Sequence, residues 1–202
     1  MTGTTLCHRM MASCIKTSGI WEIVDRTNNK KSLVLRWILN GFKGEHSNVL
    51  LYFDCEYSYI DDYSGIDSEV VLVRENDFSK IVWISEIMIK NGIEPIIIVD
   101  SLPAVTNRKN QELSRNLSRL NALSRQKRCW IFIINYEYKK DIPYYSSFIS
   151  SMIDVSITIT EKEKRILIRT EKNNTSYRFP EICILDNGHT LIKRNLWKTR
   201  FQ

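Results

Sequence analysis

The stretch Ile-Ile-Ile-Val-Asp-Ser at residues 96–101 is a run of branched apolar residues that ends in a polar turn. Such an unbroken run is typical of a strand that is buried on both faces of a parallel sheet. Two other runs end in a similar way, Val-Leu-Leu-Tyr-Phe-Asp at 49–54 and Ile-Phe-Ile-Ile-Asn at 131–135. In sheets of this kind, the chemistry collects at the carboxyl ends of the strands.

Strand-like and helix-like segments alternate along the first 135 residues. Apolar residues at helical spacing predict helices at 32–39, 78–90 and 111–128, and the strands are predicted at 19–24, 48–54, 69–73, 96–99 and 130–134. Beyond residue 150, the segments 153–160, 165–170, 176–179 and 182–185 alternate in the manner of antiparallel strands. The pattern predicts an α/β fold, with a mostly parallel central sheet flanked by helices and an antiparallel C-terminal extension. We expect a short N-terminal tail at 1–18 and one core domain at 19–202.

The composition narrows the classes of protein to consider. The chain has 202 residues, of which 43% are hydrophobic and 26% charged, and its formal net charge is +6. This is an ordinary globular composition, and the positive charge favours an anionic partner. The five cysteines are scattered without a Cys-x-x-Cys pair, which indicates a reducing compartment and neither a disulfide framework nor a zinc site. No apolar run reaches membrane-spanning length and no signal peptide is visible, so we expect no contact with a membrane.

Polar residues follow the first, second, fourth and fifth predicted strands. The turn Asp-Arg-Thr-Asn-Asn-Lys-Lys-Ser at 25–32 lies between the first strand and the first helix, where a phosphate-binding loop would lie. Asp-Cys-Glu at 54–56 ends the second strand, Asp100 ends the fourth, and Asn-Tyr at 135–136 ends the fifth.

Taken in this order, these segments resemble the core of the RecA family of strand-exchange recombinases, and most of all the eukaryotic recombinase paralogues that act as mediators. The resemblance covers about residues 19–192 and implies a RecA-like ATPase core. It implies that Lys31 and Ser32 stand in the phosphate loop, that Glu56 is the water-activating glutamate, and that Asp100 orients Mg²⁺. The motif that senses the γ-phosphate in that family corresponds here to residues 134–136.

Three substitutions depart from the family's pattern. Both glycines of the phosphate loop are replaced, by Asp25 and Lys30, and the sensor glutamine is replaced by Tyr136. Glycine lets backbone N–H groups wrap phosphates, whereas the carboxylate of Asp25 would repel them. We therefore expect a pseudo-ATPase with no catalytic residue, no metal and no cofactor of its own, in which ATP and Mg²⁺ bind only at a composite site with a partner.

Other interpretations of the same residues stay open. Lys31 and Ser32 are also typical of the solvent-exposed start of a helix. Glu56 and Asp100 are also typical of polar residues that end strands and bind neighbouring backbone groups or cations. The segment Phe-Asp-Cys-Glu at 53–56 is also similar to the first motif of two-metal exonucleases, with Asp100 and Asp154 as further ligands. That family expects His or Tyr three to five residues before its last aspartate, and the positions before Asp154 hold Ile149, Ser150 and Ser151.

Basic and aromatic residues favour single-stranded DNA as the anionic partner. The resemblance implies one DNA-contacting loop that leads into the predicted helix at 111–128 and a second loop at 137–148. The candidate DNA-binding residues are Arg108, Lys109, Arg115, Arg119, Lys139, Lys140 and Tyr144. A solvated helix face explains the arginines equally well, and packing against the sheet equally explains the tyrosine.

The chain lacks the Phe-x-x-Ala motif by which recombinase protomers join, so homopolymerisation by that route is not supported. Its resemblance therefore predicts a non-catalytic paralogue that forms a heterodimer with another recombinase paralogue. It would bind single-stranded DNA and stabilise or remodel the recombinase filament during homologous recombination, a DNA repair process of the nucleus. A weak DNA-dependent ATPase and a pure protein-interaction scaffold are the alternatives.

Overall fold

Nine strands and three helices are present in the part of the chain that the computed structural model describes: residues 18–27, 30–41, 49–58, 69–105, 110–127, 129–136, 151–163, 165–174, 181–184 and 190–193. The strands are β1 (Gly19–Asp25), β2 (Val49–Asp54), β3 (Glu69–Val73), β4 (Ile96–Asp100), β5 (Trp130–Tyr136), β6 (Val155–Lys162), β7 (Arg165–Asn173), β8 (Glu181–Ile184) and β9 (Thr190–Lys193). The helices are α1 (Lys31–Gly41), α2 (Phe78–Lys90) and α3 (Asn110–Lys127), and a short 3₁₀ helix follows β4 at Leu102–Ala104.

All nine strands belong to one sheet, in the order β3-β2-β4-β5-β1-β6-β7-β8-β9. The six strands from β3 to β6 pair in parallel, and β6, β7, β8 and β9 pair antiparallel. The predicted α/β class, with a mostly parallel sheet and an antiparallel C-terminal extension, is confirmed. The predicted strand at 176–179 lies outside the described residues, and β9 was not predicted.

Helices cover both faces of the parallel part of the sheet. On one face, the apolar side of α1 packs on Trp21 of β1, Ile98 of β4 and Phe132 of β5. On the other face, α2 and α3 pack on alternate residues of the same strands, such as Ile97 and Ile131. Because both faces of the sheet are covered, the central strands consist of unbroken runs of apolar residues. These runs made the strands recognisable in the sequence.

Local signals at both ends explain the limits of α2. The side chain of Asp77 accepts hydrogen bonds from the backbone N–H groups of Ser79 and Lys80 and so caps the first turn. The helix ends at Lys90 with Asn91 as its C-cap, and the following Gly92 adopts a φ of 83°, a left-handed conformation that glycine tolerates best. The predicted limits of this helix, 78–90, are confirmed.

The sheet topology places the candidate residues at two opposite edges. Asp54 lies beside Asp100, and Asp25 lies beside Tyr136, so that the carboxyl ends of β2, β4, β1 and β5 meet at one edge. Asp154 comes just before β6, which runs parallel to β1, and therefore lies at the amino-terminal edge. Among the described helices, none is both long and apolar enough to cross a membrane.

Candidate functional site

The carboxylate of Asp25 holds the turn between β1 and α1. Its Oδ1 accepts hydrogen bonds from the backbone N–H and the hydroxyl of Thr27, at 2.8 and 2.6 Å. Its Oδ2 accepts from the backbone N–H groups of Lys30 and Lys31, at 3.0 and 2.8 Å. The residue is 3% exposed. Backbone N–H groups at a helix start are the donors that bind anions, and here a carboxylate of the chain itself takes them.

The ammonium group of Lys31, in the first turn of α1, points inward to β4 and β5. Its Nζ lies 2.7 Å from Oδ1 of Asp100 and also donates a hydrogen bond to the hydroxyl of Tyr136. The second oxygen of Asp100 accepts a hydrogen bond from the hydroxyl of Tyr52 on β2. The ammonium also lies 5.0 Å from the centre of the Tyr136 ring. These four side chains form the Lys31 cluster, which joins α1 to three strands.

Burial and pairing act against each other on the pKa values of this cluster. Burial lowers the pKa of Lys31, but the adjacent charge of Asp100 and the hydrogen bonds with Asp100 and Tyr136 outweigh it, so the pKa is raised. Burial raises the pKa of Asp100, and Lys31 and Tyr52 oppose that rise. Burial raises the pKa of Tyr136 to about 12. The ammonium of Lys31 is therefore held in its charged form, and an ammonium has no free electron pair with which to act as a nucleophile.

The acidic turn after β2 lies next to the Lys31 cluster. Glu56 is exposed and accepts a hydrogen bond from the hydroxyl of Ser101, the residue after Asp100. The backbone N–H of Cys55 donates to the carbonyl oxygen of Asp100 at 2.7 Å. The buried Asp54 accepts a hydrogen bond from the backbone N–H of Ser58, at 3.0 Å. The structure thus brings Lys31, Asp100 and Glu56 to one edge of the sheet.

Ser32 lies in the first turn of α1, immediately after Lys31, and is partly buried. Tyr52 was not among the predicted site residues, because the sequence pattern does not distinguish a tyrosine inside a buried strand from a core residue. The sequence identified Tyr136 as the residue that replaces the sensor glutamine, and the structure shows that its hydroxyl is a partner of Lys31.

A second polar network crosses three neighbouring strands. Glu22 on β1 accepts a hydrogen bond from the side-chain amide of Asn135 on β5 at 3.0 Å, and one from the hydroxyl of Ser156 on β6 at 2.7 Å. The side chain of Asn135, which the resemblance places in the γ-phosphate motif, is therefore hydrogen-bonded to the neighbouring strand β1.

The candidate DNA-binding residues divide into three groups. Arg115 on α3 is exposed. Arg119, one turn further along, forms a two-point ion pair with Glu86 of α2, with Nε to Oε1 at 3.0 Å and Nη2 to Oε2 at 2.6 Å. The others, Arg108, Lys109, Lys139, Lys140 and Tyr144, lie outside the described residues. The sequence predicted Arg119 to bind DNA, with a solvated helix face as the alternative, and the structure shows that Arg119 connects two helices.

The acidic residues of the exonuclease interpretation do not come together. Asp154 accepts a hydrogen bond from the backbone N–H of Ile20 at 3.0 Å, and Nη2 of Arg125 lies 3.4 Å from its other oxygen, at the amino-terminal edge of the sheet. Asp54, Glu56 and Asp100 lie at the opposite edge. Within the described ranges, no group of three or more potential metal ligands is found.

Comparison with protein-family models gives no match for the chain, and comparison with curated proteins finds no similar sequence. A function for the chain therefore has to be inferred from the geometry of the site.

Proposed function

We propose that the chain is a non-catalytic recombinase paralogue with a RecA-like core, which pairs with another paralogue and acts on the recombinase filament in the nucleus. Two features of the fold support the proposal. The sheet is mostly parallel with an antiparallel extension, and Lys31, Asp100 and Tyr136 meet at its carboxyl edge, as the family resemblance implies.

The carboxylate of Asp25 is the observation that carries the non-catalytic part of the proposal. It takes the backbone donors of Thr27, Lys30 and Lys31 that a phosphate would need. The ammonium that would approach the phosphate is paired with Asp100 instead. A nucleotide phosphate would therefore have to displace the buried carboxylate of Asp25 and break the ion pair of Lys31 with Asp100, so the residues present do not fit ATP.

Titration calorimetry with ATP and Mg²⁺ tests this part. We expect no heat of binding and no phosphate release by the purified chain, while inorganic phosphate should be equally inert. Micromolar binding of ATP by the chain alone, together with hydrolysis that Lys31→Ala abolishes, would contradict the proposal and favour a weak DNA-dependent ATPase. ATP binding only after addition of a partner paralogue would agree with a composite site.

The proposed ligand of the basic surface is single-stranded DNA. The net charge of +6 and the exposed Arg115 on α3 support it, because neutralisation of phosphates supplies most of the affinity of such binding. Arg119 is a weaker candidate than Arg115, since Glu86 already neutralises it.

Binding of a fluorescent oligothymidine to the full chain tests this second part. We expect Arg115→Glu to weaken binding and to reduce the slope of log K against log salt by about 0.7, the contribution of one phosphate contact to a single strand. Arg165→Glu is the matched control, because Arg165 is an exposed residue of β7 and the change in charge is the same. Equal loss of affinity in both variants would contradict a DNA site on α3 and would favour the protein-interaction scaffold.

A further inference from the structure

Helix α2 exposes a large aromatic side chain at the centre of its outer face. Trp83 is 58% exposed, although tryptophan is one of the most apolar residues of the chain. On the same face, Lys80 and Ile87 lie one helical turn from Trp83, and Lys90 lies two turns from it at the end of the helix. We call these four residues the Trp83 stripe.

The other sides of α2 are already occupied. Phe78, Ile81, Val82, Ser85 and Ile89 are buried toward the sheet. The side toward α3 is held by the ion pair of Glu86 with Arg119 and by Ser79, whose hydroxyl donates to Glu112. The Trp83 stripe is therefore the side of the helix that faces away from the core of this chain.

Lysines flank Trp83 along the exposed side of α2, and the carboxylate next to it on the helix is already paired with a cation. Glu86 is the single acidic residue of α2, and Arg119 holds it at 2.6 Å. Lys80 and Lys90 are both exposed and stand at the two ends of the stripe, separated by about 15 Å at the helical rise of 1.5 Å per residue. Lys80 has one acidic neighbour, Glu75, at 3.4 Å. A complementary surface therefore needs an apolar centre with carboxylates on both sides of it.

We propose that the Trp83 stripe is a docking site for an acidic amphipathic helix of another protein. Its apolar side chains would cover Trp83 and Ile87, and carboxylates near both of its ends would pair with Lys80 and Lys90. Exposed aromatic residues that become buried on binding dominate the energy of many interfaces, and flanking charges select the partner. The site goes beyond the proposed DNA and paralogue functions, and it uses none of the residues assigned to DNA.

A synthetic helical peptide is the probe for this site. It carries three leucines on one face and glutamates near both ends, with a fluorescent label, and its binding to the full chain is followed by anisotropy. Two further peptides, one with lysine in place of every glutamate and one with the same residues in scrambled order, are compared with it. We expect the acidic peptide to bind at least tenfold more tightly than either of them.

Variants of the chain locate the binding. Trp83→Ala should weaken binding of the acidic peptide at least tenfold, and Lys80→Glu/Lys90→Glu should weaken it and improve binding of the basic peptide. Leu72→Ala on β3 is the matched control, because Leu72 is also an exposed apolar residue, and it should change nothing. Since Trp83 is exposed, its replacement leaves the core intact, and affinity for oligothymidine should be unchanged.

Several outcomes would overturn the proposal. One is equal affinity for the acidic and basic peptides, or no binding of the acidic peptide at all. Another is unchanged binding in Trp83→Ala. If light scattering finds a dimer of the chain that Trp83→Ala dissociates, the occupant is a second copy. If Lys80→Glu/Lys90→Glu abolishes DNA binding, the occupant is nucleic acid.

Discussion

Lys31 and Asp100, which are 69 positions apart in the sequence, form an ion pair with Nζ 2.7 Å from Oδ1. The pair connects the first turn of α1 to the end of β4. Asp100 is buried and Lys31 largely so, and each partner compensates the charge of the other. In the resembled family these two positions serve the nucleotide, whereas here they bind each other. The pair is therefore expected to matter for stability before it matters for any reaction.

Replacement of Lys31 tests whether the pair is structural. Lys31→Met keeps an unbranched side chain but leaves Asp100 buried without its partner charge, and we expect it to lower the free energy of unfolding by about 3 kcal/mol. Asp100→Asn should also be destabilising. The double variant should lose clearly less than the sum of the two single changes, as measured by urea denaturation. Strictly additive losses would show that the two side chains do not interact in solution.

Asp25 should be a stronger helix cap than Asp77. It accepts two hydrogen bonds at the start of α1, from Lys30 and Lys31, and two more from Thr27 in the preceding turn, while Asp77 accepts two at the start of α2. We expect Asp77→Ala to cost about 1 kcal/mol and Asp25→Ala about 2 kcal/mol or more, because the Asp25 turn is also buried. Urea denaturation of both variants measures the difference. A smaller loss for Asp25→Ala than for Asp77→Ala would contradict the assignment of its carboxylate to the backbone donors.

The sequence predicted the strands of the parallel sheet well, and the reason is physical. Strands such as 96–100 are buried on both faces, so their apolar runs are unbroken and bounded by polar turns. The end of α2 was predictable because Asn91-Gly92 is a common helix C-terminal sequence, and Gly92 indeed adopts a positive φ. The strand β9 lies at the edge of the antiparallel extension, where pairing depends on neighbours that pattern analysis does not see.

The candidate site was predictable in its location and only partly in its contacts. The carboxyl edge of the sheet follows from strand order, so Lys31, Glu56 and Asp100 were expected to lie together. The direction in which each side chain points does not follow. Asp25 was predicted to repel phosphate. The structure shows in addition that its carboxylate accepts the backbone hydrogen bonds at the start of α1, so the turn does not need the glycine that a phosphate loop has at this position. The ion pair of Arg119 depends on the packing of α2 against α3, which spacing within one helix does not reveal.

Alkaline pH should destabilise the fold well before the lysines of the surface titrate. Burial raises the pKa of Cys55 from 9.0 to about 12 and that of Cys129 from 9.0 to about 11. Above pH 9 the unfolded chain releases these protons while the folded chain keeps them. The contribution of these thiols to the free energy of unfolding is therefore complete below pH 9. It is lost as the pH rises above 9, by about 1.4 kcal/mol per pH unit for each thiol.

The free energy of unfolding under reducing conditions, measured between pH 8 and pH 11, checks this prediction. Tyr136, with its pKa raised from 10.0 to about 12, adds to the fall above pH 10 in the same direction. In Cys129→Ala the slope between pH 9 and pH 11 should be smaller by the contribution of one proton. An unchanged slope in that variant would mean that Cys129 titrates alike in both states.

Variants of Arg119 and Glu86 separate the effect of this ion pair on stability from its effect on DNA binding. Arg119→Glu places two carboxylates together between α2 and α3, and we expect it to lower the free energy of unfolding by about 1 kcal/mol, since the arginine is partly exposed. The charge swap Glu86→Arg/Arg119→Glu should recover most of that loss. Arg115→Glu, four residues earlier on the exposed side, should leave stability nearly unchanged.

Affinity for oligothymidine should rank two of these variants in the opposite order to their stability, with Arg115→Glu below the charge swap. Arg115→Glu should weaken binding because the exposed guanidinium of Arg115 can reach a phosphate, whereas the charge swap keeps the net charge between α2 and α3 and should bind nearly as the unmodified chain does. If instead the stable charge swap loses DNA affinity as strongly as Arg115→Glu, then Arg119 contacts the DNA directly. Arg119 would then contact a phosphate through the N–H donors that its two-point pair with Glu86 leaves unused, because a guanidinium carries five N–H donors.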